Sequence, residues 1–561
     1  MRTVSILLLT GLCALFVLSS AIAQPFARPN AQNRVDRWND MWVNFTNYGY
    51  MGNDGPGMMT ALDDPCSPNP WAPQCEMPGG SSQQYLFQAG LWIGAKVDVG
   101  GNYIPRVSTA TDGWLNPAIM EFWPGEGPEN GINERSRLDT VDCFGQNVHS
   151  ESASADHELV AVYTDTLSDQ QYVSDDPVDG PHRPLGVKVT QISGDMRPSG
   201  CSHIYWLHYV IENIGSSTLR DMYVGQYVDG DVGRSDMLNQ HVDDLTGFEP
   251  TEQIAYIADN DGRDPNQTSG PFVAPHVTGM MFLTPTQSYQ RLSYNWWISN
   301  GDATLDYGPA WRSYAESDSA GMGWTNTYGT PMGDLRKYQV MSNGEIDFDQ
   351  LHVNDAEWIG EHPQGPQAWS TASPSPNAPD IANGYDTRYL LSLGPLGSHV
   401  GDHTELAPGE RIDVWMAYVG GLNFHNPEHP QPSNQVIDPS LFDFTDLLAK
   451  ASTARGNTCF DWATLGAGNP KVAPSDFALE PLYPNPFNSM STIRFTLARS
   501  SQVDIAVFDI LGREVAQLAS SQFAAGNHAL SWNAAGLSSG LYFIQARVGD
   551  VHFTQKAMLL K

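Results

Sequence analysis

Seven aspartates carry the clearest chemistry in this chain. Asp229 and Asp231 stand in the run DGDVGRSD, Asp243 and Asp244 follow after a short loop, and Asp259, Asp261 and Asp264 lie in ADNDGRDP. Calcium takes about six to eight oxygen ligands, mostly carboxylates and carbonyls on loops. Three Asp/Asn/Gly runs at expected strand ends offer that donor set. The spacing is not that of an EF-hand, because with Gly262 as the turn glycine the first ligand position falls on Ile257. The competing reading is that Asp and Gly make turns and solvate strand ends. Calcium at these seven aspartates is an expectation for the structure to test.

Other constellations are weaker. His425-Asn-Pro-Glu-His429 matches the HxxEH metalloprotease pattern in letters. That chemistry needs both imidazoles on one helical face, and Pro427 opposes the helix. Trp296, Trp297, Trp311, Trp324, Tyr307 and Tyr328 crowd a Gly/Ser/Asn-rich region. Aromatic faces of this kind stack on sugar rings, which makes an extracellular glycan a candidate partner; the same residues also fill β-sandwich cores. No GxSxG, Walker or Rossmann fingerprint occurs in a strand–turn–helix setting. Beyond Cys13 the cysteines are Cys66, Cys75, Cys143, Cys201 and Cys459. Cys66 and Cys75 bracket the Pro-rich CSPNPWAPQC, and a disulfide between them is expected to hold that loop. No CxxC pair supports a zinc ribbon or thioredoxin-type chemistry.

The elements that must position these groups follow from the rest of the chain. Met1–Ala23 opens with Arg2, runs apolar from Val4 to Leu18 and ends in Ala21-Ile22-Ala23, the pattern of a cleaved signal peptide. No later apolar stretch approaches the length needed to span a bilayer, so the mature chain is expected to lack a transmembrane segment. Residues 24–476 carry 22 basic and 58 acidic residues, a net of −36. Such a surface repels phosphate backbones, which excludes nucleic acid as a partner class.

Residues 24–464 read as a large β-rich, sandwich-like body. Strand patterns fall at Tyr85–Val97, His157–Tyr163, Val187–Ile192, His276–Leu283, Thr387–Leu393 and Arg411–Val419. HIYWLHYVIEN and TLRDMYVGQYVD, joined by Ile214–Ser217, predict a hairpin. Helical spacing is clear only over Ser440–Ala454, and 362–379 reads as a long loop. Residues 465–476, GAGNPKVAPSD with its flank, read as a linker.

The last segment, 477–561, opens with Tyr483-Pro484-Asn485-Pro486-Phe487-Asn488 and continues in alternating runs. Ile493, Phe495 and Leu497, then Val503, Ile505 and Val507, recur at the strand period, as Leu541, Phe543 and Gln545 do less cleanly. Gly512, Gly526 and Gly540 sit at the breaks. The pattern predicts a small antiparallel, Ig-like β-sandwich. YPNPFN, FDILGREV, AGNHALSW, SSGLYFIQ and the closing KAMLLK, with Lys556 and Lys561, resemble the type A C-terminal sorting domain of the type IX secretion system. That resemblance implies passage through the periplasm, docking on outer-membrane secretion machinery, and a cargo that is released or held at the cell surface. Phrases of the body such as FQAGLWIGAKV and ANGYDTRYLLSLGP are similar to those of large secreted proteins with the same tail, and imply no activity or site residues.

The expected molecule is therefore mainly β, a sandwich-like body followed by a small Ig-like tail. Its expected function is that of an exported protein with a non-enzymatic, adhesive, structural or glycan-binding body. The alternative is a secreted hydrolase acting on an extracellular polysaccharide or protein.

Overall fold

The structure is a computed structural model. It describes residues 31–52, 74–112, 120–124, 131–170, 172–173, 176, 178–196, 200–234, 241–263, 271–284, 286–298, 331–347, 349–352, 381–433, 436–456, 459, 477–479, 487–497, 501–509, 513–523, 526–548 and 551–559. The chain divides into two compact units, Met1–Phe460 and Asp461–Lys561.

The first unit is built on two antiparallel sheets. In the larger sheet Gln88–Val99, Leu219–Asp229, Thr387–Leu396 and Arg291–Ile298 lie side by side in that order, the last at the end of the row. The smaller sheet runs Asp244–Glu249, Ile254–Asp259, Val277–Phe282, Arg411–Gly421, Ile204–Asn213, Val187–Asp195, His157–Thr164, Asn133–Arg135. Leu91, Ile93, Val224 and Leu391 of the larger sheet share one core with Leu159, Val189, Leu207, Met280 and Met416 of the smaller. This is a sandwich, formed because each sheet offers an apolar face that only another layer can cover. Val187–Asp195 shows the cause in its simplest form, with buried and half-buried residues alternating along VKVTQI.

The expected hairpin does not form. Ile204–Asn213 lies in the smaller sheet between Val187–Asp195 and Arg411–Gly421, whereas Leu219–Asp229 lies in the larger sheet between Gln88–Val99 and Thr387–Leu396. Both strands are largely buried along both alternating sets of residues. Each therefore needs two strand neighbours and covered faces on both sides, which a two-stranded ribbon cannot supply.

A helix at Asp334–Ser342 covers the outer face of the larger sheet, burying Tyr338, Val340 and Met341 against Trp92, Tyr223, Tyr227, Trp297 and Leu390. Its backbone start is held by Asp179, which accepts from Asp334 N at 2.6 Å. Lys337 is buried on this helix, its Nζ 2.9 Å from Asp112 and 3.2 Å from Asp176. A nine-residue helix with buried Arg336 and Lys337 has no apolar stripe to announce it. The helix expected at Ser440–Ala454 is present at Thr445–Arg455, where Leu447, Ala451 and Ala454 are buried.

The second unit contains a three-stranded sheet, Phe477–Leu479, Met490–Leu497 and Gly526–Asn533, and a four-stranded one, Glu514–Phe523, Ser501–Asp509, Gly540–Val548 and Val551–Leu559. Ile493, Phe495, Val503, Ile505 and Val507 are fully buried in its core, as their alternation requires. In the strand Gly540–Val548 the buried set is Tyr542, Ile544 and Ala546, one residue out of step with the expected Leu541, Phe543 and Gln545. Leu541-Tyr-Phe-Ile544 is apolar at every position, so alternation alone cannot choose the inward face; a shift of one residue exchanges the two.

Candidate metal centre

Asp229 ends its strand, and its carboxylate lies in a row of side chains set by register. Gln88 pairs with it from one neighbouring strand and Arg388 from the other. Asp229 Oδ2 accepts from Gln88 Nε2 at 3.2 Å and lies 3.2 Å from Arg388 Nε. Arg388 Nη1 donates to Asp386 Oδ1 at 2.6 Å. Two residues beyond Asp229 the chain turns at Asp231, whose φ is 46°. The turn passes so close to Ile257 that a Cβ on Gly230 would meet Ile257 Cδ1 at 2.4 Å, so a larger residue is excluded there. The result brings Asp229, Asp231 and Asp386 together, with ligating oxygens all within 4.8 Å of one another.

More carboxylates press on this trio. Asp244 and Asp259 are cross-strand partners in the smaller sheet, a like-charge pairing that is unfavourable without compensation. Asp244 Oδ2 accepts from Val232 N at 3.1 Å. Asp259 Oδ1 accepts from the backbone of Asp261, at 2.9 Å, and of Gly262. Asp261 Oδ1 accepts from Arg263 N at 2.9 Å. Burial, then the charges of Asp231, Asp259 and Asp243, push the Asp244 carboxyl well above the usual carboxylate range. Burial, then Asp229 and Asp386, does the same to Asp231. For Asp229, burial raises the pKa to about 6 against the opposing charge of Arg388.

Two oxygens decide what the arrangement can do. Asp229 Oδ1 and Asp244 Oδ1 are buried and meet no hydrogen-bond donor among the described residues. A buried carboxylate oxygen left without a donor is costly, and a hard cation is the ligand that such oxygens suit. Of the sequence-predicted ligands, Asp229 and Asp231 thus meet at one point, with Asp243 and Asp244 close enough to shift their neighbours' titration. Asp259 and Asp261 are turned to backbone amides and Arg263, the turn-making role. Asp264 lies outside the described residues. Asp386 was not legible as a ligand, because only strand pairing carries it to Asp229.

Other expectations are resolved differently. Cys75 is a free, buried thiol, so the expected Cys66–Cys75 disulfide does not form. Cys75 sits in a strand, opposite Val43, and faces the core rather than the Pro-rich loop, with burial pushing its thiol far up. The bond that forms is Cys201–Cys459, across 258 residues, and Cys143 is also disulfide-bonded. Cys66 lies outside the described residues. Trp296 and Trp297 are buried core residues, which withdraws them from any sugar-stacking platform. Trp311, Trp324, Tyr307 and Tyr328 lie outside the described residues. His425 is buried in non-helical backbone with Nε2 2.8 Å from Asp259 O, while His429 is exposed, so the HxxEH letters are not a zinc helix.

In the second unit, Phe487 of the YPNPFN run is a core residue, 3% exposed, with its ring 4.9 Å from that of Trp532. Asn488 is exposed. Gly540 opens its strand in extended backbone and Lys556 lies on the last strand. Tyr483, Pro484, Asn485, Pro486, Gly512 and Lys561 lie outside the described residues.

Comparison with known proteins places this unit. Residues 481–560 match the family model of the secretion system C-terminal sorting domain. Among solved structures, dimeric latent PorU from Porphyromonas gingivalis aligns at 10% identity over 77% of this chain and 34% of its own length, with a TM-score of 0.14. The chain thus spans about a third of PorU. The adhesin domain of Epf from Streptococcus pyogenes aligns at 8% identity over 77% of this chain and 93% of its own, also at 0.14. No curated protein matches the chain. No helix among the described residues is long and apolar enough to cross a membrane. The sorting-domain match marks the protein for export, to the medium or the cell surface, through the type IX machinery. The C-terminal segment of this chain is a type IX secretion system C-terminal sorting domain.

Proposed function

We propose that the acidic body is a non-enzymatic cargo of this route, adhesive or structural at the cell surface or in the medium, with calcium as its structural ion. The observation that carries the reading is the Asp229–Asp231–Asp386 trio, with Asp229 buried and the other two half-buried, and buried Asp244 beside it. Three carboxylates there share one guanidinium, that of Arg388, which pairs with Asp229 and Asp386, and one oxygen each of Asp229 and Asp244 lacks a donor among the described residues. An exported protein meets free calcium that a chain inside the cell does not, and carboxylate-only sites on strand ends suit that ion. Asp229, Asp231 and Asp386 would hold it, and Asp244 would complete the shell. Calcium bound there would offset the repulsion of carboxylates that burial otherwise forces toward the neutral form.

The test is thermal unfolding of purified protein in excess calcium and in chelator. Calcium should raise the melting temperature of the wild type and do so much less in Asp231→Asn combined with Asp386→Asn. Coincident wild-type curves would remove the calcium reading. Turnover of a polysaccharide or protein by the same preparation would remove the non-enzymatic one.

A further inference from the structure

A second buried group joins the two sheets of the body and has a different donor set. Asp36 ends the strand Asn33–Asp36 of the larger sheet. His157 begins and Asp195 ends two adjacent strands of the smaller sheet, where they are register partners. The strands approach so closely there that a Cβ on Gly194 would lie 2.1 Å from His157 O. Asp36, His157 and Asp195 are at most 2% exposed, and their ligating atoms all lie within 4.8 Å of one another.

The imidazole is fixed on three sides. Trp38 stacks on it with ring centroids 4.6 Å apart and planes 15° from parallel. Nδ1 is 3.1 Å from Asp36 Oδ2, and Nε2 is 3.0 Å from Glu134 Oε1. Asp195 is the unexplained member. Neither of its oxygens meets a hydrogen-bond donor among the described residues, and the Asp36 carboxyl lies within 4.8 Å of it. Two facing buried carboxyls need either a proton or a cation between them.

We propose that Asp36, His157 Nδ1 and Asp195 form a buried site for a borderline divalent metal, zinc being the type, which ties the two sheets together. Zinc takes imidazole nitrogen and carboxylate oxygen at about 2.0–2.2 Å, so tetrahedral ligands stand about 3.3–3.5 Å apart. The 3.1 Å between Nδ1 and Asp36 Oδ2 is a hydrogen-bond distance somewhat shorter than that edge, so a metal entering there displaces a proton from between them. With Nδ1 on the metal, Nε2–H donates to Glu134, the outer carboxylate that holds the tautomer and orients a ligating imidazole. The nitrogen donor separates this site from the Asp229 trio, whose all-oxygen set suits a hard cation. The inference stands whether or not calcium occupies that trio.

The experiment is titration of chelator-stripped full-length protein with zinc, in saturating calcium to mask the oxygen-only sites, followed by calorimetry and thermal unfolding. The expected result is one tight zinc per chain that raises the melting temperature. His157→Gln should abolish it, and Asp195→Asn should weaken it at least tenfold. Asp195→Asn is nearly isosteric and removes a repulsive carboxyl, so without metal it should melt no lower than the wild type. Cobalt gives an independent reading, a visible band of tetrahedral character in the wild type that is absent from His157→Gln. No zinc binding by the wild type, or equal binding by His157→Gln and Asp195→Asn, overturns the proposal and leaves a proton shared between Asp36 and Asp195.

Discussion

Asp229 and Arg388 are register partners on adjacent strands, 3.2 Å apart, with side chains no more than 4% exposed. Arg388 also holds Asp386, so one guanidinium serves two of the three carboxylates at the candidate metal centre. Breaking such a pair from the cationic side leaves buried charge uncompensated. Arg388→Met should therefore destabilise the body by about 3–5 kcal/mol. Urea unfolding checks this, and excess calcium should recover part of the loss in Arg388→Met.

His182 predicts an alkaline limb of stability. Burial opposes its charge, but Glu121, 2.7 Å away, then the charge and backbone carbonyl of Asp165, outweigh burial and raise its pKa to about 9. The folded value lies above the ordinary 6.5, so the imidazolium's contribution is complete below about 6.5 and is lost as pH rises through about 9. His182→Gln should reduce the fall in the urea midpoint between those pH values. An unchanged pH profile would mean that His182 is neutral in the folded protein.

The disulfide framework is open to direct mapping. The Cys201–Cys459 bond closes a loop of 258 residues, worth on the order of 5 kcal/mol on the chain-entropy model. Reduction, or Cys201→Ser with Cys459→Ser, should lower the melting temperature markedly. Non-reducing peptide maps should show Cys201 joined to Cys459. Cys143 should likewise appear in a disulfide-linked peptide. Cys75 should take up alkylating reagent only after unfolding, because its thiol is buried and un-ionised.

Phe487 and Asn488 separate fold from motif in the sorting domain. Phe487→Ala empties a core position against Trp532 and should cost about 3–5 kcal/mol, a large part of so small a domain's stability. In a type IX-competent host both this variant and deletion of residues 477–561 should hold the chain in the periplasm, whereas exposed Asn488→Ala should leave the tail folded. Cell fractionation measures both. Wild-type amounts of Phe487→Ala outside the cell would mean that export does not require a folded tail.

Much of the architecture was legible locally. Alternation at Ile493–Phe495 and Val503–Val507 reports which side chains face a core, because a strand's period is a property of the chain itself. The acidic balance and the YPNPFN-to-KAMLLK pattern likewise need no partner to be read. Tyr542 and Ile544 mark where this ends, since a uniformly apolar strand has no inward side until its neighbours are chosen.

The sites belong to the other category. Asp386 reaches Asp229, Asp36 reaches His157 across 121 residues, and Cys459 reaches Cys201. Trp296 and Trp297 look alike in sequence whether they line a groove or fill a core, and the covering layers decided for the core. Ile204–Asn213 and Leu219–Asp229 are neighbours in sequence yet stand in different sheets. Each outcome depends on which strand pairs with which, and that choice is made by burial summed over the whole sandwich, not by any residue's near neighbours.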